Sequence, residues 1–78
     1  MTADQQSKLR AMLRRLGAED LAMELAAVFD VRDLDDATRG AIIVVLGHEA
    51  AERGLNRDGS VNDYWLQLDE LADALVGD

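Results

Sequence analysis

The chain has 78 residues, sixteen acidic side chains against eight Lys and Arg, a net charge of −8, and neither cysteine nor proline. One domain, residues 1–78, is what this length supports, and the missing cysteines exclude disulfides and thiolate metal sites. A field this acidic repels phosphate backbones over most of the surface, so direct nucleic-acid binding is not expected, whereas basic protein patches are attracted.

Thr2 followed by Gln5 is a capping-box start, and Leu9, Met12, Leu13 and Leu16 then share one side of a helical wheel. This predicts helix one over 3–16, closed by Gly17. The opening residues lack the basic start and apolar stretch of a secretory signal, and the longest apolar run, Ala41 to Gly47, is too short to span a bilayer. The expectation is a cytoplasmic protein with no membrane contact. Lys8, Arg10, Arg14 and Arg15 against Asp4 make residues 1–16 locally +3, while the remainder is −11. These cations are expected to pair with acids of helices two and four, inside the bundle or across a dimer. A phosphate-binding face would need them together on one exposed side.

Leu21, Ala22, Leu25, Val28 and Phe29 form the second apolar stripe, with Glu19 and Asp20 in the first turn where the helix dipole favours anions. Helix two is placed at 18–30. Asp33 with Asp36 reads as the cap of helix three, 34–53, supported by the pairs Asp35–Arg39 and Glu49–Arg53. The run Ile42-Ile43-Val44-Val45-Leu46 also suits a buried strand. Such a strand would lack a partner, because no other segment alternates with period two.

Gly40, Gly47 and Gly54 recur every seven residues. A glycine inside a helix costs about 1 kcal/mol relative to alanine, so the two interior ones call for close approach of another backbone. Gly54 alternatively just ends the helix. The stripe Gly40, Ile43, Gly47, Ala50, Ala51 and Gly54 is thus predicted to be a shallow groove for a second helix, either helix four or a helix of a second copy. A homodimer follows from the latter. Met23, Ile42, Leu46 and Leu66 fall outside the apolar arcs of their helices. Ile42 and Leu46, one turn apart, are predicted to be an exposed apolar contact. His48 falls within the arc of Ala41, Val44, Val45 and Ala51, as a core or interface imidazole; the catalytic or metal-binding alternative pairs it with Glu52.

Asn56-Arg57-Asp58-Gly59 is a turn. The surrounding loop has the glycine of a calcium loop but Gly54 and Trp65 where that loop needs carboxylates, so calcium is not expected. Ser60 with Asp63 reads as the cap of helix four, 61–76, whose stripe is Val61, Tyr64, Leu68, Leu71, Ala72 and Leu75. Trp65 lies at its edge. Asp69 and Asp73 stack beside Leu66, with Asp63 and Glu70 adjoining; an apolar residue ringed by carboxylates suits a basic, partly hydrophobic groove on a partner.

The fold expected is all-α, a compact four-helix bundle with short loops. No phosphate cradle, serine elbow or His-Glu-x-x-His pattern occurs, so neither catalysis nor a cofactor or metal is expected. The expected function is a non-enzymatic acidic interaction module, such as an inhibitor or adaptor docking on a basic nucleic-acid-binding protein. Antitoxin-like and phage anti-defence factors are proteins of that size and charge. The alternative is a homo-oligomeric scaffold subunit packed through the glycine groove.

Overall fold

Helix α1, Ala3–Arg15, starts on a reciprocal cap: the Gln5 backbone N–H donates to Thr2 Oγ1 at 3.1 Å, and the Thr2 N–H donates to Gln5 Oε1 at 2.9 Å. It ends in a Schellman motif. Gly17, at φ 81°, lets its own N–H reach the Arg14 carbonyl at 3.2 Å and the Ala18 N–H reach the Leu13 carbonyl at 2.8 Å. The chain thereby reverses within three residues into α2, Glu19–Ala27.

The second helix stops three residues before the expected end. Val28 is already extended, at φ −105° and ψ 145°, and the Gln6 amide donates to the carbonyls of Leu25 at 3.3 Å and Val28 at 3.2 Å. A side chain of α1 thus satisfies acceptors that a longer helix would have paired internally. Asp30 then caps a 3₁₀ turn, Val31–Asp33, through the Arg32 N–H at 3.0 Å. Val31 and Leu34 enter the core in place of Phe29.

Helix α3, Asp36–Arg53, is capped by Asp35 rather than Asp33, with Thr38 N–H donating at 2.9 Å. It is one continuous helix, so the strand alternative for Ile42–Leu46 is discarded. Helix α4, Asp63–Val76, is capped by Asn62, whose Oδ1 accepts from the Trp65 N–H at 3.0 Å. Ser60 is instead held in the preceding loop by Asp58, at 2.9 Å from its N–H and 2.6 Å from its hydroxyl. That loop is tied by a Leu55–Val61 antiparallel bridge and turns at Gly59, φ 87°.

The described residues, 1–76, form an all-α computed structural model: a small bundle in which α1 packs on α2 and α3 packs on α4. The two hairpins share one core, with Leu9, Leu13, Leu25, Ile42, Leu46 and Leu68 fully buried at its centre. Burial of each such side chain contributes roughly 1.5–3 kcal/mol. No helix among the described residues is long and apolar enough to cross a membrane.

Helix α3 is turned relative to the sequence expectation. Ile42 is 0% exposed and Leu46 2%, so the predicted exposed apolar contact is core. The buried face continues through Glu49, 5% exposed, whose carboxylate meets Arg53 Nε at 3.2 Å as expected. Arg39 pairs with Asp36 at 3.2 Å rather than Asp35, and its other amino group donates to the carbonyls of Val31 and Leu34. Charged residues therefore flank the inner face of α3. Ala37, Gly40, Val44, Gly47, His48 and Ala51 face outward, with the exposed carboxylates of Asp36 and Glu52 bordering them.

Candidate interaction surfaces

On α4 the buried arc of Leu68, Leu71 and Leu75 fixes what faces away from the bundle. Asp63, Leu66, Asp69, Glu70 and Asp73 are all exposed, as the sequence predicts for the partner-binding face. Leu66 is 52% exposed and Val76 62%. The helix carries four carboxylates and no cation. The ion pairs among the described residues are Lys8–Asp4, Arg32–Asp30, Arg39–Asp36 and Arg53–Glu49, so the α4 acids are neutralised by none of them. Like charges at this spacing repel one another, and a cationic surface relieves that repulsion.

The helix stands between two depressions. On one side, Ile43, Leu46, Gly47, Ala50, Ala51, Trp65, Leu68, Asp69 and Ala72 line a mostly apolar groove of about 280 Å³ between α3 and α4. The predicted stripe is thus only partly a groove. Ile43, Gly47, Ala50 and Ala51 line it, whereas Gly40 is exposed and outside it, and Gly54 is buried at the helix end. A Cβ added at Gly40 or Gly47 would meet nothing within 4 Å, so no backbone approaches closely at either. At Gly54 it would lie 2.8 Å from Trp65 Cβ and 2.6 Å from the Ala50 carbonyl oxygen. Close approach is real at one glycine of the three, and its cause is the Trp65 side chain.

On the other side, α1 and α4 border a cleft of about 620 Å³ lined by Gln5, Lys8, Met12, Arg15, Tyr64 and Glu70 among others. Arg15 donates to the Tyr64 hydroxyl at 3.0 Å, and Lys8 pairs with Asp4 within α1 at 3.2 Å. The expected ion pairs from α1 to the acids of α2 and α4 do not form among the described residues. Long exposed side chains gain little from such pairs.

His48 is exposed, so of the two placements expected for it, core and interface, the core one is excluded. It shares a depression of about 200 Å³ with Leu16, Val45, Glu49 and Glu52. Among the described residues no three His, Asp or Glu side chains are grouped to hold a metal.

The feature that sequence reasoning missed is Phe29. The early end of α2 turns it outward, 99% exposed, beside exposed Met23, Ala26 and Ala27 on the outer side of α2. The corner that carries it is held from both sides, by the Gln6 amide before it and by the Asp30–Arg32 pair after it at 2.9 Å. The guanidinium and backbone N–H of Arg32 hold the Asp30 carboxyl down at about 2. Asp30, read as a cap for Val31, is the signal that would have ended α2 early.

The chain matches no protein-family model, no curated protein and no solved structure.

Proposed function

We propose that this protein is a non-catalytic interaction module whose α4 docks on a basic surface of a protein partner, as an inhibitor or adaptor does. The observation that carries this reading is the outer face of α4: exposed Leu66 flanked by Asp63, Asp69, Glu70 and Asp73, with no cation on the helix and no ion pair from these acids to the rest of the described chain. Carboxylates steer encounter with a cationic surface, and burial of Leu66 lengthens the residence time. Basic surfaces of this kind are commonest on nucleic-acid-binding enzymes and toxins, which is why antitoxin-like and phage anti-defence roles fit the charge.

The test is affinity capture from native host lysate at low and high salt, with Asp69→Lys/Asp73→Lys beside the wild type. The expected result is a partner captured at low salt, released at high salt and absent with the variant. Capture that ignores both salt and variant defeats the reading.

A second reading is self-assembly through the groove between α3 and α4. It is favoured by the apolar lining of that groove and by the small and apolar residues Gly40, Val44, Gly47 and Ala51 exposed on α3. Apolar packing of this kind does not weaken as salt is raised.

A further inference from the structure

Because α1 packs chiefly on α2 and α4 on α3, the bundle is left open along the line between α1 and α4, where the cleft of about 620 Å³ lies. That is the size of a small-molecule site, roughly 300–1,000 Å³. Its floor is apolar: Met12 and Leu71 are nearly buried beneath it, and Ala11 lines the α1 wall. Methionine adapts its shape readily, so such a floor accommodates different apolar bodies.

The polar groups are distributed unequally along the cleft. Arg15, at the end of α1, donates to the hydroxyl of Tyr64, at the start of α4, at 3.0 Å, which fixes one end. Lys8 and Glu70 lie toward the other, about 10 Å away at 1.5 Å of helix per residue. There the lining charges are of opposite sign, and Lys8 is already paired with Asp4 at 3.2 Å. At the first end Arg15 is the one charged group in the lining, and it takes part in no ion pair among the described residues. The Tyr64 oxygen accepts from Arg15, so its own proton is left to donate, and the guanidinium has further N–H groups to give. Two donors are thus held side by side, with no acceptor in the lining to use them.

We infer that the cleft between α1 and α4 binds a small organic monoanion, its carboxylate head held by Arg15 and the Tyr64 hydroxyl and its apolar body lying along Ala11, Met12 and Leu71.

Charge sets both the valence and the direction of this ligand. The chain as a whole, at −8, repels multiply charged anions such as phosphates, whereas residues 1–16 are locally +3 and attract a single charge. One lining cation at the Arg15 end matches one carboxylate. At the opposite end Asp4 and Glu70 outnumber Lys8, so a head placed there meets repulsion and the reversed orientation is disfavoured. Bonds from a guanidinium to a carboxylate are charge-assisted, and stronger than the same bonds to a neutral oxygen.

The test is an NMR titration of the whole chain with 2-naphthoate and decanoate, one aromatic and one aliphatic carboxylate, and with the alcohols of the same two bodies. The side-chain amides of Gln5 and Gln67 line the cleft and report on it; the backbone amides of Ile43 and Gly47 report on the groove between α3 and α4. At least one carboxylate should shift both glutamine signals saturably at millimolar concentration, with its alcohol about tenfold weaker, the scale of one charge-assisted hydrogen bond. Arg15→Gln should bring the carboxylate down to the level of the alcohol, and Tyr64→Phe should weaken it several-fold, each keeping its helical content. Arg10→Gln removes a cation of the same helix that does not line the cleft, and should change nothing. The inference falls if neither carboxylate moves the glutamine signals, if the alcohols bind as well, or if Arg10→Gln costs as much as Arg15→Gln. Shifts confined to Ile43 and Gly47 would put the apolar body in the other groove and overturn it equally. The comparison of acid with alcohol decides on the wild type alone.

Discussion

At Gly54 a single hydrogen atom is all the space permits. A methyl group there would sit 2.8 Å from the Cβ and Cδ1 atoms of Trp65 and 2.6 Å from a backbone oxygen. Gly54→Ala should therefore destabilise the fold by about 1–3 kcal/mol, the usual cost of overpacking, read as a lower thermal midpoint. Gly47→Ala, with open space around it, should instead raise stability by up to about 1 kcal/mol through helix propensity. Identical residues at identical spacing thus respond with opposite sign. Asp30 supplies a second residue-level prediction. Its folded-state carboxyl is held at about 2 from an ordinary 3.8, chiefly by side-chain hydrogen bonding to Arg32. The ion therefore favours the folded state above pH 3.8, and this contribution is lost as the pH falls toward 2. The gap in thermal midpoint between the wild type and Asp30→Asn should close over that window; a gap that persists below it would refute the assignment.

Among the elements, α3 shows what sequence pattern can and cannot convey. The capping box of α1, the turn at Gly59 and the acidic outer arc of α4 are local chemistry, and each was legible in residues a few positions apart. The inner face of α3 was not. Its flanks carry Arg39, Glu49 and Arg53, while Ala37, Gly40, Val44, Gly47 and Ala51 are exposed beside Asp36 and Glu52, so a wheel that follows hydrophobicity selects the wrong side. Arg39 is drawn inward by the carbonyls of Val31 and Leu34, which lie outside α3 and which helical periodicity does not encode, whereas the Glu49–Arg53 pair within α3 follows the helical spacing. The misplaced end of α2 has a similar origin, since Gln6 lies twenty-two residues from the carbonyl of Val28 that it holds. Ile42→Ala tests the corrected orientation. It should cost about 2–5 kcal/mol as a core truncation, whereas a solvent-facing isoleucine would lose almost nothing, and chemical denaturation separates the two.

Across the whole molecule, charge and apolar exposure are divided between faces. The four carboxylates of α4 lie on one ridge, the exposed small and apolar residues of α3 lie on another helix with only Asp36 and Glu52 bordering them, and the Phe29 corner is at the end of α2. Two associations with opposite responses to salt can thus coexist on one small surface. Docking of the α4 ridge on a cationic partner should weaken steeply as ionic strength rises. Pairing of copies through the groove between α3 and α4 should hold or strengthen, because salt screens the repulsion between two acidic chains. Sedimentation of the protein alone and of its captured complex over the same salt series distinguishes them.

The three-residue reversal at Leu16–Ala18 also governs how fast this chain reaches its fold. Each helix packs chiefly on its neighbour in sequence, α1 on α2 and α3 on α4, so most of the ordering requires closing only short loops. Helical proteins dominated by such local contacts fold in microseconds to milliseconds. A molecule that loses its structure regains it before a diffusing protease or a second unfolded chain has had much chance to meet it.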